Sequence, residues 1–124
     1  MEAFETLLKI AQRKAEFDKT SSWSNGAQTY IDEIKNEIDE VVEELPQGRV
    51  CYLEDELGDV LWDYLNMLVA LEQEKGINIA SVLQRACNKY EQRVSGIEAG
   101  KQWQEIKALQ NVVLAEEQAK LINK

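Results

Sequence analysis

Two sets of acids stand out in this chain. Glu33, Glu37, Glu40 and Glu44 recur every three or four residues. At 100° per residue they fall within roughly a 60° arc of one helix. Like charges at that spacing oppose one another by a few tenths of a kcal/mol per pair, and Lys35 points elsewhere. Further on, Glu56, Asp59, Asp63 and Asn66 form a stripe that runs into one of the most apolar stretches, VLWDYLNMLVAL (60–71), where Asp63 and Asn66 lie. An unpaired carboxylate inside a packed helix costs several kcal/mol, so such a stripe must meet a cation or take up protons. The chain has 14 Lys and Arg against 23 Asp and Glu, which makes a divalent metal the economical partner. Carboxylates at i,i+3 on two facing helices converge on one ion, and all-oxygen ligation suits Mg²⁺ or Mn²⁺ rather than zinc or copper. Two blander readings stand beside this one: an acidic solubilising face, and a helical, oligomeric regulatory module without catalysis.

The elements that must carry these groups are helical. Strict apolar–polar alternation is absent, while apolar residues at helical spacing are frequent. Helices are expected over 2–18, 28–45, 50–75, 79–94 and 101–121, with DKTSSWSNGAQ (18–28) as a loop. Pro46 and Gly48 stop the second helix and Gly76 ends the third; Asn78 or Ser81 is placed to cap the fourth, and Gly96 and Gly100 interrupt the chain ahead of the fifth. The second helix carries the stripe Ile31, Ile34, Ile38, Val41, Val42 and Leu45, and the last carries Trp103, Ile106, Leu109, Val113 and Leu114. Trp62 and Trp103 read as core or interface residues. The third helix is apolar nearly all round, more than short neighbours in a small monomer cover, so a homodimer or homotetramer is expected. The fold class is an all-α antiparallel bundle of four to five helices, one domain over 1–124, with 96–124 as a C-terminal extension packing on the bundle or on a partner subunit.

Composition narrows the function. A net charge of −9 opposes nucleic-acid binding, which needs basic neutralisation of phosphates. No apolar run approaches the ~18 residues of a membrane span, and the N-terminus has no secretory pattern, so a cytoplasmic protein is expected. There are no histidines, which removes the commonest general base and rules out the Glu-x-x-His motif of di-iron bundles. Cys51 and Cys87 form neither a disulfide framework nor a zinc site and are expected to fill space.

NEIDE (36–40) followed by ELGDVLW (56–62) resembles the signature of MazG-type nucleotide pyrophosphohydrolases, Glu-Glu-x-x-Glu, a spacer, then Glu-x-x-Asp. The match puts Glu37, Glu40, Glu56 and Asp59 at the family's metal positions; Asn36 departs from the first Glu, with Glu33 and Asp32 as candidate partial substitutes. KYEQR (89–93) resembles the family's Lys-aromatic-x-x-Arg element, giving Lys89 and Arg93 as phosphate contacts. Asn66 matches an Asn of small MazG-like proteins and suits a base edge or ribose, with a buried structural amide as the alternative. Trp23, in a loop similar to one ahead of the family's first acidic helix, is a candidate for stacking on a base or for packing on its own domain. WQEIK (103–107) is similar to a C-terminal segment of some members. The resemblance implies an all-α NTP pyrophosphatase fold and Mg²⁺-dependent cleavage of nucleoside triphosphates, often deoxynucleotides, between the α and β phosphates. A dUTPase-like or dCTP-preferring member is the nearest alternative. Glu37 or Glu40 would orient the attacking water, with Asp63 and Glu33 behind the ligands.

Overall fold

The computed structural model describes residues 2–122; the two ends of the expected 1–124 domain, residues 1, 123 and 124, lie outside the described residues. Among the described residues there are five α-helices and no strand: α1 Glu2–Asp18, α2 Ala27–Glu44, α3 Val50–Lys75, α4 Ile79–Glu98 and α5 Trp103–Ile122, with a 3₁₀ turn at Leu45–Gln47. The chain is all-α, as its periodicity predicts. The described residues form two compact units that divide between Ile79 and Ala80.

In the first unit, α3 packs against both α1 and α2. Its core is Ala11, Ala27, Tyr30, Leu65, Leu68, Val69 and Ile79. The apolar residues of α3 between Leu65 and Val69 supply most of this, which is why its second half, rather than its first, is sealed from water.

The start of α2 has no side-chain cap of its own, since Gly26 occupies the N-cap position. Glu74, from the far end of α3, supplies one: its carboxylate accepts from the Ala27 N–H at 2.8 Å. A carboxylate there both satisfies an orphan N–H and faces the positive end of the helix dipole. Gly26 makes the approach possible, because a Cβ at that position would lie 2.8 Å from Glu74 Oε2, and its φ of 74° is strained for any other residue. Glu72 does the same for α4, accepting from the Ile79 N–H at 3.0 Å. Glu74→Ala is therefore expected to cost about 1–2 kcal/mol of stability, read as a lower urea midpoint at unchanged m-value.

The second unit is an antiparallel pair, α4 and α5, joined through side chains. Arg85 pairs with Glu117 at 2.6 Å, and Arg93 donates to Gln110 at 2.8 Å. Gln110 in turn donates to the Lys89 carbonyl at 3.0 Å. The sequence predicts that α4 ends at 94, with Gly96 as a break, yet the helix runs on to Glu98. Gly96 lies within the helix and Ile106 packs against it: a Cβ there would come within 2.2 Å of Ile106 Cδ1. Gly96→Ala is expected to destabilise by about 1–3 kcal/mol through overpacking. Ile106→Val, which removes that Cδ1, should recover part of the loss in the double variant, measured by denaturant unfolding.

Three further expectations are corrected. On α2, Ile38, Val42 and Leu45 remain exposed. Of the apolar positions expected for α5, Ile106 is buried, whereas Leu109, Val113 and Leu114 are open to solvent. Cys51 and Cys87 are exposed free thiols and do not fill internal space. Helical periodicity identifies an apolar face; it does not say what covers that face.

Candidate metal centre between α2 and α3

The antiparallel packing of α2 on α3 turns two one-helix stripes into a ladder. Each turn back along α2 is matched by one turn forward along α3, so Glu40 stands against Glu56, Glu37 against Asp59, and Glu33 against Asp63. Glu44, the fourth member of the α2 stripe, leaves the ladder: Arg49 forks onto its carboxylate at 2.6 and 3.0 Å and lies over the Tyr52 ring.

Carboxylate oxygens of Glu37, Glu56 and Asp59 all lie within 4.8 Å of one another. Oε2 of Glu37 and Oε2 of Glu56 are buried with no hydrogen-bond partner. The ion pairs among the described residues are Lys14–Asp18, Lys19–Glu16, Arg49–Glu44 and Arg85–Glu117, so no basic side chain neutralises any acid of the ladder. Glu40 is more exposed and its carboxylate acts on both Glu37 and Glu56, so it adjoins the three without joining the close set.

The electrostatic result is uniform. Burial first, then the hydrogen bond and charge of Glu40, push the Glu37 carboxyl up to about 7. Burial and the same neighbour raise Glu56. Burial, with Asp55 and Glu40, raises Asp59. Burial and the charges of Glu33, Asp59 and Glu40 raise Asp63 to about 6. Every one of these shifts records a carboxylate whose charge is opposed by burial first and by like-charged neighbours second. A hard divalent cation fits on three counts: the donors are all oxygen, three come from two rigid helices, and two buried oxygens have nothing else to bind.

The remaining residues singled out in the sequence divide between the two units. Asn66 is 2% exposed and donates from Nδ2 to the Trp62 carbonyl at 2.8 Å, so one of its donors is used within its own helix. Trp23 is 52% exposed and meets Tyr30 edge-on, with ring centroids 5.6 Å apart. Lys14 Nζ sits 4.5 Å from the Trp23 ring and is paired with Asp18, which also accepts from the Tyr30 hydroxyl. Lys89 and Arg93 lie on α4 in the second unit. Lys89 is exposed, while Arg93 is 5% exposed, its guanidinium 5.4 Å from the Tyr90 ring centre and 5.2 Å from that of Trp103. Sequence reasoning passed over Tyr30, although it precedes Glu33 by one turn on the same side of α2. Extending the acidic stripe backwards would have found it.

The model of one protein family, the MazG nucleotide pyrophosphohydrolase domain, matches residues 25–96, more than half of the chain and all of the α2–α3 ladder. No curated protein and no solved structure matches the chain. No helix among the described residues is long and apolar enough to cross a membrane. The helical hairpin with its facing Glu-x-x-Glu and Glu-x-x-Asp pairs lies inside the matched segment, and this chain belongs to the MazG nucleotide pyrophosphohydrolase family.

Proposed function

We propose that this protein is a Mg²⁺-dependent nucleoside triphosphate pyrophosphohydrolase, with Mn²⁺ as a substitute ion, that cleaves the α–β phosphoanhydride of (d)NTPs to a nucleoside monophosphate and pyrophosphate. The observation that carries the reading is the convergence of Glu37, Glu56 and Asp59 with two buried, unpartnered oxygens and no basic neighbour. Such a set is unfavourable alone and favourable around a cation.

Glu37, Glu56 and Asp59, with Glu40 at the rim, would hold the ion. When bound, it neutralises phosphate charge and lowers the pKa of coordinated water. Glu40 is exposed beside Glu37 and Glu56, so its carboxylate is open to solvent where it can accept a proton from water. Glu37 is the alternative acceptor. Lys89 and Arg93 would contact the triphosphate, with Arg93 oriented by Tyr90, Trp103 and Gln110. Trp23 offers an aromatic surface to a base, and Asn66 a buried amide oxygen to its edge or ribose.

The exposed Ile38, Val42 and Leu45 of α2, with Leu57 and Leu61 of α3, support a homo-oligomer, dimer or tetramer, formed through this hairpin. In this reading the whole chain acts as one cytoplasmic domain, with 96–124 packing on the bundle or on a partner subunit. The test is a panel of ribo- and deoxynucleoside triphosphates assayed for pyrophosphate with and without Mg²⁺. Metal-dependent release of equal amounts of monophosphate and pyrophosphate is expected; release of orthophosphate, or no hydrolysis of any nucleotide, would refute the reading.

A further inference from the structure

The α2–α3 ladder does not end at Glu37 and Asp59. One turn along, Asp63 is only 6% exposed, and its Oδ2 is buried with no hydrogen-bond partner. Glu33 stands opposite it, one turn further along the register that brings Glu37 to Asp59, and after burial its charge acts on Asp63 more strongly than those of Asp59 and Glu40. Neither polar neighbour on the inner side satisfies the carboxylate. Tyr30, whose phenol is held protonated by burial, by Asp18 and by the charge of Asp63, gives its hydroxyl proton to Asp18. Asn66 gives an amide proton to the Trp62 carbonyl. Lys14, which reaches the Tyr30 hydroxyl at 3.3 Å, is paired with Asp18. A carboxylate so enclosed and so unmatched leaves a buried donor oxygen on the face of α3 that meets α2.

From this geometry we infer that Glu33 and Asp63 hold a second divalent cation, one helical turn from the Glu37–Glu56–Asp59 set. This inference rests on the metal-dependent reading above and adds a site to it. A turn of helix separates the two levels by about 5.4 Å, room for a second ion with its own ligands. Two carboxylates are enough for Mg²⁺ or Mn²⁺, which bind characteristically through one or two acids and complete their shell with water and substrate phosphates. A second cation at this level would add positive charge along a bound polyphosphate.

The site is tested by Mn²⁺ titration of the intact chain, with free Mn²⁺ read by electron paramagnetic resonance and no nucleotide present. Two ions per chain are expected for the unmodified protein, one for Asp63→Asn and one for Glu33→Gln. Glu56→Gln should remove the other ion and leave the Glu33–Asp63 site filled. Circular dichroism of each variant confirms that the helices are intact, and both Asn and Gln conserve side-chain shape. One ion per chain in the unmodified protein, or two in Asp63→Asn, would overturn the second site while leaving the proposed function standing. No bound Mn²⁺ in any form of the protein would overturn both.

Discussion

Glu56→Gln is expected to lower Mg²⁺-dependent pyrophosphate release by roughly 10²- to 10⁴-fold, the equivalent of several kcal/mol of lost charge stabilisation. The same substitution should raise the melting temperature of the metal-free protein. Both effects have one origin. The Glu56 carboxylate carries a buried, unpartnered oxygen and sits among Glu40, Asp59 and Asp55. Without a cation its charge opposes three neighbours; with one, the charge is what binds. A residue that merely braced the hairpin would lose stability when altered, so opposite signs in activity and metal-free stability separate a ligand from a strut. Asp59→Asn should behave in the same way, and the two together should cost far less than the product of the two losses, since each alone disables the same ion. Steady-state kinetics beside thermal melts in a chelator would check all of this.

The second large effect is in the linkage between pH, metal and stability. In the metal-free chain Glu37 titrates near 7 and Asp63 near 6, and Glu56 and Asp59 are raised as well. The unfolded chain holds the same groups near about 4. Between those limits the folded state binds more protons than the unfolded state, so stability falls as pH rises. The metal-free protein should therefore be more stable near pH 5 than near pH 8, contrary to the usual behaviour of salt-bridged carboxylates. Saturating metal reverses the trend, because the ion binds the ionised acids. At 100 times its dissociation constant, Mg²⁺ should add ~2.7 kcal/mol at pH 8, about 10 °C in melting temperature for a chain of this size. At pH 5 protons compete and the gain should shrink. Melting curves at the two pH values, with chelator and with Mg²⁺, give the full square.

Much of this was legible in the sequence, and the reasons differ by element. The starts and ends of α1 and α3 follow from turn residues and from apolar periodicity, both local properties. The acidic stripes are equally local, since a helix wheel needs nothing beyond spacing. What joins them is not local. That Glu33 faces Asp63 and Glu40 faces Glu56 depends on the antiparallel register of α2 on α3, which two separate wheels do not contain. The capping of α2 by Glu74 spans 47 residues of sequence and leaves no motif behind. Gly96 looked like a break because glycine usually is one, yet here it makes room for Ile106 Cδ1. Arg93 read as a phosphate contact; in the structure its guanidinium lies beside two aromatic rings, Tyr90 of its own helix and Trp103, which only the packing of α5 supplies. The exposed half of the α2 stripe shows the same limit from the other side. Periodicity placed Ile38, Val42 and Leu45 on one face, but this chain alone does not cover them.

The central claim is that the acids of α2 and α3 share a divalent cation, and crystals grown in Mn²⁺ address it most directly. The account predicts an anomalous difference peak between the two helices, within coordination distance of carboxylate oxygens from Glu37, Glu56 and Asp59. A map at full Mn²⁺ occupancy elsewhere with no peak among these three residues, or with their side chains turned apart toward solvent, would contradict it.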